Sequence, residues 1–227
     1  MKLFSFFIIT IIFISSSVFC FPIPKGNKAT FDIIRKNKVI GSAETIFIRK
    51  NNDLIVNTII NIEIKILFIP AYKFSQNSKE TWRSDEFIEF YGHTDFEDER
   101  EYFIEGIDLD NNFIAKGMDG KLILHKDILP LNYWNKKILL EDELFDTQKG
   151  IVRKITVKKL SDEIINLDGI NVEAEKYIFD ASSNPKDKGP FPQYTLWYDS
   201  NDELIKFQFK NWKDKKIIIT QRNNWGQ

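Results

Sequence analysis

Along residues 54–69 (LIVNTIINIEIKILFI) the side chains alternate with a period of two. Leu54, Val56, Ile60, Ile62, Ile64, Ile66 and Phe68 fill the even positions apart from Thr58, while Asn57, Asn61, Glu63 and Lys65 fall on odd ones. That period dictates a β-strand with one dry face and one wetter face. Fully straight, it would run roughly 50 Å at about 3.3 Å per residue. Ordinary strands have about five or six residues, so this one has to bend around something. The pattern predicts an all-β fold with minor α: a single curved antiparallel sheet, half-barrel-like, with a greasy concave side suited to a carrier or binding scaffold.

The rest of the chain repeats one device, an alternating run followed by a polar turn. Runs are expected at residues 30–35, 39–49, 72–83, 87–96, 101–108, 113–117, 121–124, 151–160, 170–180, 193–199, 203–210 and 216–222, with Pro70 closing the long strand. Asp119-Gly120 between two apolar runs is a strong hairpin signal. Short turns between neighbouring runs imply an antiparallel meander. Two segments depart from the device. Ile138, Leu139, Leu140, Leu144 and Phe145 are spaced for a short helix over Lys137–Phe145, lying across the sheet or plugging one end. Residues 181–192 (ASSNPKDKGPFP) form a loop expected to be mobile or the rim of a site.

The first residues read as a secretory signal: Lys2, an apolar run over Leu3–Ile14, three serines, then Phe21-Pro22. A cut after Cys20 is favoured, with a cut after Ser17 as the alternative. The apolar run is too short for an anchor of about twenty residues. Lipidation of Cys20 would require a small residue where Phe19 stands. The reading is therefore residues 1–20 as signal and 21–227 as one sheet domain, periplasmic or secreted from a bacterium, with no transmembrane segment after cleavage. Cys20 is the sole cysteine, so the fold must stand on its own core rather than on disulfides. Losing Lys2 takes the net charge one unit below the −1 of the whole chain, and no basic tract is present, which argues against a nucleic-acid partner.

Several phrases carry a resemblance: Lys38-Val39-Ile40-Gly41, residues 80–87 (ETWRSDEF), Tyr133-Trp134-Asn135, residues 146–150 (DTQKG) and residues 196–204 (LWYDSNDEL). In this order they resemble an uncharacterised family of exported bacterial proteins known only as a domain of unknown function, over essentially the whole chain after residue 20. More distantly the layout is similar to the half-barrel sheet of the lipoprotein-carrier (LolA/LolB-like) group. That resemblance implies a curved sheet around a hydrophobic concavity and no catalytic residues.

Candidate constellations are few. Glu80 and Trp82, two apart on a strand, share a face and can place a carboxylate beside a ring in a pocket; the bland alternative is a core Trp82 with a solvated Glu80. His93, Asp95, Glu97 and Glu99 alternate as a cation site would, or as a charged wet edge does. His125 reads as a surface residue. The aromatic load, Tyr133, Trp134 and Trp197 above all, either fills a large core or closes with the Pro-rich loop over an apolar ligand. The candidate ligand-lining residues are thus Trp82, Tyr133, Trp134, Trp197 and Glu80, with no catalytic, metal or cofactor-binding set and no cofactor. The function expected is a non-catalytic envelope binding or carrier protein for an acyl chain or similar ligand, its partner a lipid or another envelope protein. The alternatives are an envelope interaction module with a filled core, and a carboxylate-dependent hydrolase for which Glu80, Asp95 and Glu97 would be first to test.

Overall fold

The computed structural model describes residues 21–66, 69–97 and 100–226. The expected signal segment, Leu67, Phe68 and Glu99 lie outside that range. Eight strands come first: β1 (Lys28–Arg35), β2 (Lys38–Lys50), β3 (Asp53–Ile66), β4 (Ile69–Arg83), β5 (Glu86–Phe96), β6 (Glu101–Leu109), β7 (Asn112–Gly117) and β8 (Gly120–His125). After them come the two-residue β9 (Leu129–Pro130), a 3₁₀ turn (Lys136–Leu140) and β10 (Glu143–Asp146). The chain continues through β11 (Ile151–Lys159), β12 (Glu163–Leu167), β13 (Ile170–Ala181), β14 (Tyr194–Tyr198), β15 (Leu204–Lys210) and β16 (Ile217–Arg222).

All join in one curved, 16-stranded sheet, ordered β8-β7-β6-β5-β4-β3-β2-β1-β16-β15-β14-β13-β11-β10-β9, with β12 paired to β13 alone. Read cyclically, this is simply the chain order. The terminal strands β1 and β16 pair in the middle, and the two ends of the path, β8 and β9, are consecutive in sequence. Every pairing is antiparallel except β9 with β10. Two-residue turns with positive φ at Lys36-Asn37, Ser84-Asp85 and Asp110-Asn111 link the hairpins, the backbone twist that right-handed strands favour.

The sequence pattern translates directly into faces. On β3, Leu54 and Val56 are buried while Asn61 is exposed. The long strand is shorter than expected, ending at Ile66, and Pro70 lies inside β4 rather than closing β3. Proline has no N–H to give a ladder, and the register shifts between Ile64 and Lys65, where Lys65 meets Pro70. The helix expected over Lys137–Phe145 is instead a 3₁₀ turn followed by a strand. β12 was not expected at all, although the turn Asp168-Gly169 that follows it is a hairpin signal.

Residues 128–147 form a strap across the concave face. Ile128, Leu131, Trp134, Ile138, Leu144 and Phe145 are buried there among inner-face residues of the wall, and Phe145 meets Phe90 and Phe113 edge-on. A second, smaller core lies on the other face, where Ile165, Leu167, Val172 and Ala174 of the β12–β13 hairpin cover Trp197 and Ile205. Where the two ends of the sheet approach, Met118 N–H donates to Lys149 C=O at 2.7 Å. Backbones touch at this seam: a Cβ on Gly117 would stand 2.3 Å from the Gly150 oxygen and 2.4 Å from its Cα. Gly117→Ala should therefore destabilise the protein by about 1–3 kcal/mol, seen as a lowered urea midpoint, whereas Gly120→Ala, where a Cβ meets nothing within 4 Å, reports only its positive φ. Equal midpoints for Gly117→Ala and wild type would rule out the backbone contact.

Candidate functional site

The inner column of β4 runs Phe74, Gln76, Ser78, Glu80, Trp82, so alternation carries polar groups onto the face that elsewhere is apolar. In register, Glu80 stands between Val56 of β3 and Phe90 of β5, both fully buried. Glu80 itself is 2% exposed. Its carboxylate accepts from Trp82 Nε1 at 2.9 Å, from Asn132 Nδ2 at 3.0 and 3.1 Å, and from Trp134 Nε1 at 3.2 Å. Around it, Phe21, Phe47, Trp82 and Trp134 pack ring to ring with centroids 5.2–5.7 Å apart. Burial pushes the Glu80 carboxyl up to about 7, against the opposing pull of the three side-chain N–H donors. A carboxylate this deep is normally matched by a cation; here its recorded partners are all neutral.

The strap that brings Asn132 and Trp134 to Glu80 is itself held by hydrogen bonds. Leu131 N–H donates to Phe145 C=O, Thr147 Oγ1 donates to Leu131 C=O, and Asn132 Oδ1 accepts from Asn135 N–H. Asn135 then caps the 3₁₀ turn by accepting from Lys137 N–H.

Tyr133, adjacent in sequence to Trp134, belongs to a different cluster. Its ring sits 5.1 Å from those of Tyr194 and Phe207 and 5.9 Å from Phe179, and its carbonyl accepts from Tyr198 Oη at 2.9 Å. Tyr194 also packs on Phe209 at 5.0 Å and Phe191 at 5.7 Å. Phe179 is sealed, yet Tyr133, Phe191, Tyr194, Phe207 and Phe209 all stay partly exposed. Their rings form one partly exposed aromatic cluster packed against the main core. Burial drives the phenol of Tyr194 up to about 12 and that of Tyr133 well above its ordinary value. Both phenols stay neutral and supply polar handles among otherwise apolar rings.

One edge of this cluster is the loop 181–192, expected to be mobile or a rim; it is pinned. Arg153, buried, donates to Asp146 at 2.6 Å, to Asp187 at 3.0 and 3.2 Å and to Ser182 C=O at 2.7 Å, and Lys149 donates to Asp187 at 3.1 Å. Arg153 also covers Phe191 at 4.6 Å. Paired charges outweigh burial and hold the Asp187 carboxyl below its usual range.

Of the sequence candidates, Glu80, Trp82 and Trp134 are brought together, Tyr133 lies beside them in the aromatic cluster, and Trp197 stands apart. Trp197 faces the second core, donates to Glu163 at 3.2 Å and is covered by Lys206 at 4.6 Å. The solvated Glu80 of the bland alternative gives way to a sealed one. His93 stacks on Phe103 at 4.5 Å and bonds Glu101 at 3.1 Å across β5–β6. His125 is exposed, 3.6 Å from Glu143. A separate open groove of about 350 Å³ is lined by Ile40, Ile62 and Phe74 together with Ser42, Asn61, Glu63, Lys73 and Asp95, and Glu63 is already paired with Lys65 at 2.8 Å. Sequence reasoning missed Asn132, Phe191, Tyr194, Phe207 and Phe209 as site residues; the alternation of Tyr194 with Leu196, and of Phe207 with Phe209, was the available signal.

Residues 31–221 match the family model described as Domain of unknown function (DUF6134), and the chain belongs to that family. A search of curated proteins found no match. Among solved structures, it is similar to a β-barrel-like protein of the domain of unknown function DUF1849 from Brucella abortus, with 12% identity, a TM-score of 0.59, and 86% of this chain and 94% of that one covered. It also matches a protein described as exported, with a YmcC-like fold, from Bacteroides fragilis, at 11% identity and a TM-score of 0.40, covering 89% and 96% of the two chains. The first of these likenesses shows a shared barrel-like fold.

The Glu80 environment sets a pH dependence of stability. Its folded value, about 7, lies above the ordinary 4.5, so the fold binds this proton more tightly than the unfolded chain does. The stabilisation is complete below about pH 4.5 and is lost as pH rises through 7, by about 3 kcal/mol in all. Glu80→Gln, which cannot ionise, should show a urea midpoint that changes less than wild type between pH 5 and 8. Parallel curves for the two proteins would contradict this account.

Proposed function

We propose that this DUF6134 protein is an exported, non-catalytic binding protein of the bacterial envelope that takes an apolar or amphipathic ligand, such as an acyl chain, at the aromatic cluster of Tyr133, Phe191, Tyr194, Phe207 and Phe209. The observation that carries the reading is that these five rings remain partly exposed on the concave face while the neighbouring cluster around Trp82 and Trp134 is sealed. Leaving aromatic surface wet is unfavourable by roughly 25 cal/mol per Å², and concave apolar sites with few polar groups are where small ligands bind. The Tyr194 hydroxyl would meet a ligand head group. The secretory layout of residues 1–20 and the distant likeness to lipoprotein carriers support export and carriage. A non-catalytic role fits the Glu80 carboxylate, which is too enclosed to meet a substrate.

Native mass spectrometry of protein purified from cells, together with titration of a fluorescent fatty acid, tests the reading. Expected is a co-purifying apolar compound and one probe bound per chain, with affinity reduced about tenfold or more by Phe209→Ala, which removes partly exposed ring surface. No co-purifying compound and no uptake would sink it and favour an envelope interaction module instead.

A further inference from the structure

We propose that Glu80 is a proton-operated latch on the strap: with the carboxyl protonated the strap stays seated on β4, and with it ionised residues 131–135 lift and Tyr133 yields its place among Phe179, Tyr194 and Phe207 to a ligand. This rests on the ligand reading above and adds its regulation.

The geometry puts lever and load side by side. Asn132 and Trp134 hold the strap to Glu80, and Tyr133 between them fills the space bounded by Phe179, Tyr194 and Phe207. Displacing the flanking residues therefore withdraws a phenol ring from the site and leaves a ring-sized apolar gap. Among the described residues, the groups bonded to the carboxylate are all neutral. Trp82 comes from its own strand, Asn132 and Trp134 from the strap, Val56 from β3 and Phe90 from β5. The cation that approaches the cluster, Lys137, stands with its ammonium 5.4 Å from the Phe21 ring. A neutral carboxyl is tolerated in such surroundings and still accepts from indole and amide N–H groups. An anion there is stabilised by letting water in. The seated strap also carries a defect of its own: Asn135 Nδ2 is buried without a hydrogen-bond partner, a donor that hydration would satisfy on lifting.

Linkage fixes the sign. Opening that hydrates Glu80 returns it to ordinary carboxylate behaviour, so proton loss favours the open state. From the about 7 of the closed state against 4.5, the closing constant falls roughly 10²-fold between pH 5 and pH 8. Apparent ligand affinity scales with the open fraction.

The probe of choice is N-phenyl-1-naphthylamine, which is uncharged across this range, so that any pH dependence belongs to the protein. Its affinity is expected to rise by up to about 10²-fold from pH 5 to 8 in wild type and to stay flat in Glu80→Gln. Hydrogen exchange of residues 129–135, divided by the intrinsic rate, follows the same profile without probe. Should Glu80→Gln fail to fold, Trp134→Phe keeps the ring and removes one donor to the anion; its exchange midpoint must move to higher pH, and an unmoved midpoint overturns the latch. Identical pH profiles in wild type and Glu80→Gln also overturn it. If exchange is pH-linked but the probe binds at no pH, the latch stands and the ligand reading fails. Probe binding that is equal at every pH leaves the ligand reading and removes the latch.

Discussion

A sheet of 16 strands encloses more room than its own side chains can fill; about eight strands is the size at which a barrel interior is just filled. This is the constraint from which the rest follows. The chain meets it by sending residues 128–147 back across the concave face and burying Trp134, Ile138, Leu144 and Phe145 there. A strap inside a barrel must be held, and ladder hydrogen bonds serve it only at β9 and β10. The remaining anchors are side chains: Asn132 and Trp134 on Glu80, Tyr198 on the Tyr133 carbonyl, and Arg153 on Asp146. One stretch of chain thus divides the interior into a dry half and a half-open one, and adjacent residues Tyr133 and Trp134 sit on the two sides of that division.

The wall was legible in the sequence and the strap was not, for a physical reason. β6 alternates exposed and buried residues along most of its length, so burial writes a period of two that survives in the residue pattern. β10 has no such contrast: Leu144, Phe145 and Asp146 are consecutive and all buried, and a strand covered on both sides loses its alternation. Together with Ile138 of the 3₁₀ turn, its apolar residues then mimic helical spacing. Within the site, the Glu80–Trp82 relation could be read because it is local to one strand. Its other partners, more than fifty residues away, leave no trace in spacing. Trp197 shows the limit of parity: alternation says that it faces away from Leu196 and Tyr198, not that the β12–β13 hairpin has built a second interior on that side.

The electrostatics of two of the buried anionic sites differ instructively. Asp187 and Asp146 are matched by Arg153 and Lys149, and the result is a fixed rim. Glu80 is matched by neutral donors alone, which leaves its proton free to decide how firmly the strap is held. Similar residues, in similar burial, thus serve rigidity in one place and adjustability in the other.

The pairing of β1 with β16 has a consequence for biogenesis. Thr30 N–H and Asn224 Oδ1, 194 positions apart, join across that boundary. Until the last strand emerges from the ribosome, β1 presents an unpaired edge, and the growing chain must carry that open edge throughout its synthesis. The final ladder is therefore a checkpoint on completeness: only a fully delivered polypeptide can zip shut, and a truncated one would be left as a sticky half-rolled sheet for proteases or chaperones to collect.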